Sequence, residues 1–196
     1  LIEDVRGYLS GLGVDSVLVH DETGKKANLY ATIGPQDRPG ICLSGHTDVV
    51  PVDGQNWSTD PFTLHERDGK LFGRGTSDMK SFLAVALAFA PEMAKAPLKT
   101  PIHFALSYDE EVGCLGVRRL IAMLNDAPVK PAAVIVGEPT SMQVITAHKG
   151  KISYRVTVTG LAAHSSLSPQ GVNAVEFAAL AIAKLREIGE ELGRDG

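Results

Sequence analysis

Several things are scarce in this 196-residue chain, and each scarcity excludes a class of protein. It has two cysteines, Cys42 and Cys114, too few and too far apart for a disulfide framework or a cysteine metal motif. Both fall in segments that read as buried, so core packing is their expected role and a reducing cytoplasm the expected setting. Aromatics make up 6% of the residues, with a single tryptophan. A net charge of -4 with acids and bases interspersed offers no footprint for nucleic acid or an anionic membrane surface. The longest apolar stretch, Phe82 to Ala90, is too short to span a bilayer. Leu1 opens directly on an amphipathic pattern without a basic-plus-apolar leader, which reads as a non-secreted protein. The absent initiator methionine and the stop at Gly196 just behind a helix read as cuts through something longer.

What is present is a 44% hydrophobic fraction, enough for a real core, arranged in alternating strand and helix patterns. Leu1, Val5, Tyr8, Leu9 and Leu12 recur at helical spacing and stop at Gly11 and Gly13. Val14 to His20 and Ala27 to Ile33 read as strands around a polar turn, Asp21 to Gly24. Ile41 to Ser44 reads as a buried strand, and residues 53 to 69 as a long loop. A mostly buried helix is expected from about Met79 to Ala94, a strand over Ile102 to Ser107, an amphipathic helix from Val112 to Leu124, and an apolar strand over Ala132 to Val136. This order predicts an α/β fold, a mixed central sheet with flanking helices. The character changes near Lys149. Lys151 to Thr159 alternates as a half-solvated strand does, and Gly160 to Gly171 leads to a helix from about Val172 to Glu190. The change of character divides the chain into 1–149, the mixed-sheet domain, and 150–196, the opening strand and helix of a separate α+β unit.

Acids and one imidazole gather at the ends of the strand-like runs, where an open α/β sheet places its ligands. His46 and Asp48 follow the strand at Ile41; being two apart, they project to one face of an extended chain. An imidazole that ligates a metal usually gives its other N–H to a carboxylate, which makes Asp48 the natural partner of His46. Asp78 precedes the Met79 helix, where it serves equally as an N-cap. Glu110 and Glu111 are adjacent acids just past a buried strand; they repel each other, and a cation would relieve that. One can ligate while the other acts as general base on a metal-activated water. Glu138 follows an apolar strand and precedes Pro139, a position costly for a lone carboxylate without a cation or donor. Carboxylates with a neutral imidazole suit zinc, cobalt or manganese. His20, His65 and His103 sit in strand or loop patterns and read as structural or solvent-facing. Asn173 reads as a helix cap, while His148, Lys149 and Arg74 stay open between contact and packing roles.

These segments carry a resemblance. Ser44 to Pro51, Gly69 to Gly75 with Asp78 to Lys80, Asp109 to Glu111 and Gly137 to Thr140 are similar to the metallo-deacylase family of acetylornithine deacetylase and succinyl-diaminopimelate desuccinylase. Trp57 to Leu64, Ala147 to Gly150, Gly160 to Ser166 and Gly171 to Ala174 resemble the acetylornithine deacetylase branch most. The resemblance covers nearly the whole chain. It implies that His46, Asp78 and Glu138 hold one metal, with Asp78 bridging to a second held also by Glu111. Asp48 would orient His46, and Glu110 would be the general base. The Asp78–Met79 peptide is expected to be cis. His164 matches a lid histidine that steadies the tetrahedral oxyanion in a partner subunit. The implied fold is a zinc-peptidase-like catalytic domain plus the start of an α+β lid and dimerisation domain. The implied protein is a cytoplasmic, homodimeric, zinc- or cobalt-dependent hydrolase of small N-acyl amino acids. Its expected reaction is deacetylation of N2-acetyl-L-ornithine in arginine biosynthesis. Alternatives are succinyl-diaminopimelate desuccinylation, another N-acyl amino acid or dipeptide hydrolysis, or a non-catalytic metal-binding and dimerisation fragment. The family's last metal ligand is a histidine from a later part of a longer chain, so one metal is expected to bind these residues better than two.

Overall fold

The computed structural model describes residues 1–194, in two compact units, Leu1–Ile145 and the segment from Thr146 on. In the first unit a five-stranded sheet runs in the order β1-β2-β6-β3-β7: β1 is Ser16–His20, β2 Ala27–Ile33, β3 Ile41–His46, β6 Ile102–Ser107 and β7 Ala133–Val136. β1, β2 and β6 pair antiparallel, whereas β3 is parallel to both β6 and β7. This is the mixed sheet with flanking helices that the alternating pattern implied.

The register sorts the side chains into two layers. Leu29 lies opposite Leu106, and Ala31 opposite Phe104; these face helices α1 (Ile2–Gly11) and α2 (Lys80–Lys95) and form the larger core with Val5, Leu9, Leu83, Ala86 and Ala90. On the other side Cys42 and Ala105 pack under Leu120 of α3, Val117–Asn125. α2 presses close to the sheet. A Cβ on Gly45 would stand 2.8 Å from both Leu83 Cδ2 and Met79 Cε, so glycine at the penultimate residue of β3 is what lets the helix approach. Within α2, Pro91 has no N–H to give to the carbonyl of Leu87. The hydroxyl of Tyr8 donates to that carbonyl instead, at 3.2 Å, and ties α1 to α2.

Three expectations about the elements of this unit need correction. α2 is not mostly buried: Val85 and Phe89 are more than half exposed, because only one stripe of the helix meets the sheet. α3 starts five residues later than its periodicity suggested, at Val117, because Gly113 (φ +107°) and Cys114 (φ +54°) take left-handed conformations that a helix cannot contain. The loop over 53 to 69 runs into a short hairpin, β4 (His65–Arg67) and β5 (Lys70–Phe72), turned through Asp68 and Gly69, both at positive φ as a two-residue hairpin turn requires. β7, the apolar strand expected here, stands exposed at the sheet edge.

Cys42 is buried as expected, but Cys114 is exposed on the turn before α3. Burial raises the Cys42 thiol to about 11. Iodoacetamide at pH 8.5 is therefore expected to label Cys114 in the native chain and Cys42 only after unfolding, as read by peptide mass spectrometry.

In the second unit, α4 (Ala174–Arg194) follows a short 3-10 segment over Ser165–Gln170, and a single bridge joins Leu161 to Val172. Asn173 caps α4 by accepting from the amide of Val175 at 3.1 Å. The strand expected over 151–159 is not formed. Its alternation is strand-like, but a strand needs a ladder partner, and among the described residues that segment pairs with none. No helix among the described residues is long and apolar enough to cross a membrane.

Candidate metal centre

β3, β6 and β7 run parallel, so their C-terminal ends meet on one edge of the sheet. His46 closes β3 opposite Ser107, the last residue of β6, and the amide of Thr47 extends that pairing to the Ser107 carbonyl at 2.8 Å. Asp109, Glu110 and Glu111 leave β6 at this edge, and Glu138 follows β7. Asp78 arrives from the other direction, at the start of α2, through a cis peptide bond to Met79. Met79 is fully buried and its sulfur accepts the His46 amide at 3.3 Å, so α2 and β3 are fastened to each other beside the imidazole.

His46 is 1% exposed and the carboxylates converge on its imidazole. Nε2 lies 3.0 Å from Asp78 Oδ1, 3.8 Å from Glu138 Oε1 and 3.9 Å from Glu110 Oε2. Nδ1 lies 3.1 Å from the backbone carbonyl of Asp48 and 3.4 Å from its Oδ1. Two oxygen acceptors on that side suit a proton on Nδ1, which would leave Nε2 free to ligate an ion; in the metal-free chain an Nε2 proton is donated to Asp78 instead. His46, Asp78 and Glu111 each offer one donor atom such that all three lie within 4.8 Å of one another. Donors each about 2.1 Å from a shared ion stand at most about 4.2 Å apart, so this trio is close to the span a single cation needs.

The electrostatics of the metal-free chain point the same way. Burial, then the nearby Asp78, raises both Glu111 and Glu138 above the ordinary carboxylate value. Burial opposes the His46 imidazolium, yet the Asp78 hydrogen bond and the Asp48 charge outweigh it and raise His46. Beside burial, all three shifts carry a contribution from negative charge crowded around one nitrogen, a charge that a divalent cation would neutralise. The donor set fits a zinc-like ion.

Asp48 does more than attend His46. Its two carboxylate oxygens accept the backbone amides of Glu110 and Glu111, each at 3.1 Å, and so hold the acidic pair to the end of β3. Cys114 Sγ lies 3.4 Å from Glu110 Oε1, to which its thiol donates. Lys26, which no motif singles out, sits 2.7 Å from both oxygens of Asp109. Nothing in the local sequence signals that pair; it becomes visible only when β2 and β6 are laid side by side. Of the expected site residues, His46, Asp48, Asp78, Glu110, Glu111 and Glu138 are brought together. Their tightest trio contains Glu111 where the resemblance puts Glu138. His164 belongs to the second unit, where its Nδ1 lies 2.8 Å from Ser166 Oγ and accepts the Ser166 amide.

A mixed α/β sheet that collects one imidazole and several carboxylates at its strand ends is the architecture of a metal-dependent hydrolase domain. The model of peptidase family M20/M25/M40 matches residues 42–195, and the chain belongs to that metal-dependent family. It is similar to the acetylornithine deacetylase of Pasteurella multocida (strain Pm70), 38% identical over 193 residues, covering 98% of this chain and 50% of that protein. It is also similar to the acetylornithine deacetylase of Proteus mirabilis (strain HI4320), 41% identical over 193 residues, covering 98% and 49%. Among solved structures, human carnosine dipeptidase 1 matches with a TM-score of 0.55 at 27% identity, over 69% of this chain and 31% of that one. The chain thus spans about half the length of the deacetylases it matches.

Proposed function

We propose that this chain is the metal-holding part of an amide hydrolase that converts N2-acetyl-L-ornithine to ornithine and acetate, a step of arginine biosynthesis. The observation that carries the hydrolase reading is the convergence of Asp78, Glu138 and Glu110 on the Nε2 of His46, with Glu111 completing the donor trio. The choice of acyl group is supported by the two deacetylases, with which the similarity runs through nearly all of this chain.

His46, Asp78, Glu111 and Glu138 would hold the ion, zinc or cobalt, which supplies Lewis acidity toward the acetyl carbonyl and makes the attacking water more acidic. Glu110 takes the proton that leaves the water as its oxygen adds to the carbonyl carbon. It then passes that proton to the amine nitrogen as the C–N bond breaks. Asp48 keeps Glu110 and Glu111 in register with His46. Residues 150–196 are assigned to a lid through which two copies pair, and His164 to steadying the oxyanion of the partner copy. The cytoplasm is the proposed compartment.

Assaying the full-length protein against a panel of N-acyl amino acids and dipeptides tests the substrate. Acetylornithine is expected to be turned over best, and activity on the succinyl substrate alone would sink the assignment. A second reading, dipeptide hydrolysis, draws on the likeness to human carnosine dipeptidase 1 and predicts the dipeptides instead. In a calorimetric titration the chain is expected to take up one zinc tightly, since one imidazole anchors the cluster; two equally tight sites would contradict this.

A further inference from the structure

We propose that Lys26 is a positioning residue for Glu110 and Glu111, acting through its ion pair with Asp109. The inference rests on the hydrolase reading for what the two glutamates do, but not for how they are held. Leu29 of β2 pairs with Leu106 of β6; three residues back along one strand and three forward along the other, Lys26 meets Asp109 at the mouth of the site. Both carboxylate oxygens of Asp109 lie 2.7 Å from Nζ. Lys26 is itself fixed. Its amide donates to Asp21 Oδ1 at 3.1 Å, its carbonyl accepts the Asp21 amide at 2.9 Å, and Thr23 donates to Asp21 Oδ2 at 2.7 Å.

The turn that Lys26 steadies is an unusual one. Asp109 has φ +54°, a left-handed conformation for a residue with a side chain, and its carbonyl accepts the Leu115 amide at 3.0 Å. The next two residues are the acids whose amides rest on Asp48. The acidic turn is therefore gripped twice, by Asp48 from the β3 side and by Lys26 from the β2 side. Without Lys26, the Asp109 carboxylate, 21% exposed, would face its acidic neighbours without its cation. A half-exposed ion pair adds little to global stability, so its effect should be local.

The test compares wild type with Lys26→Met, Lys26→Arg, Asp109→Asn and the Lys26→Met/Asp109→Asn double variant, all in this 196-residue chain. Hydrogen exchange of the Glu110 and Glu111 amides is followed by NMR in the metal-free chain, zinc affinity by calorimetry, and the thermal midpoint as a fold control. Lys26→Met is expected to speed exchange at both amides about tenfold and weaken zinc about tenfold, the low end for residues that support metal ligands, with the midpoint unchanged. Asp109→Asn should do the same, because Asn tolerates the left-handed turn, and the double variant should be no worse than either. Lys26→Arg should restore wild-type behaviour. Unchanged exchange in Lys26→Met, or effects that simply add in the double variant, would overturn the proposal. Should Lys26→Met fail to fold, Asp109→Asn against Lys26→Arg decides. Failure of the wild type to bind zinc would defeat the hydrolase reading, and the exchange comparison would still settle the role of Lys26.

Discussion

Glu110→Gln is expected to cut turnover of the full-length protein by about a hundred- to ten-thousand-fold while leaving its zinc in place. The glutamine side chain has the same length and can still accept the Cys114 thiol, which now lies 3.4 Å from Oε1. It cannot take a proton from water at neutral pH. A thousandfold loss corresponds to about 4 kcal/mol of transition-state stabilisation, removed without disturbing the ligands. Glu110 stands 3.9 Å from His46 Nε2, near enough to serve the attacking water and outside the tightest donor trio. Comparing kcat with metal content in the same preparations separates the roles. Unchanged kcat removes Glu110 from the chemistry, whereas loss of zinc would make it a ligand.

Asp48→Ala should weaken zinc binding by about 10–100-fold, the range seen when a ligand loses its supporting partner. The main route is not the one the order His46-Thr47-Asp48 suggests. Nδ1 of His46 keeps the backbone carbonyl of residue 48, at 3.1 Å, whatever the side chain there. What the substitution removes is the shared acceptor beneath the Glu110 and Glu111 amides. Two part-buried N–H groups would lose their partner at a cost of about 1–3 kcal/mol altogether, less if water reaches them. Denaturant unfolding of the metal-free chain reads that cost, and calorimetry reads the zinc affinity. Asp48→Asn should fall between, because an amide presents one acceptor oxygen where the carboxylate presents two. If Asp48 acts only on the imidazole, Asp48→Ala and Asp48→Asn would both leave the exchange of the Glu110 and Glu111 amides unchanged.

The two substitutions differ in how far the sequence foretold them. Glu110 is visible as one of two adjacent acids past an apolar run. The bond from Asp48 to the backbone of Glu110 and Glu111 spans 62 and 63 positions and has no local signature. Lys26 is further out of reach, the second of two adjacent lysines just before β2, paired with an acid 83 residues on. The misplaced start of α3 has the same origin. Val112 to Leu124 has helical periodicity, but the chain first wraps a left-handed turn around the acids, returning the Gly113 and Cys114 amides to the Glu110 carbonyl at 2.9 Å. That turn carries Cys114 to the surface, where the pattern had put it in the core.

Local order is what the sequence determined. Period-two and period-3.6 patterns produced β2, β6 and α2 nearly to the residue, because burying an apolar face is a short-range constraint that each segment satisfies by its own spacing. It also determined that His46, Glu110, Glu111 and Glu138 fall just at or beyond strand ends. Only the tertiary structure decided that those ends meet, since parallel pairing of β3 with β6 and β7 brings distant residues to one edge. It alone decided which donors form the tightest trio, and which charged partners, Asp48 and Lys26, hold the acidic turn in place. Such contacts depend on strand order and register, which are properties of the whole sheet and leave no mark on any one stretch of chain.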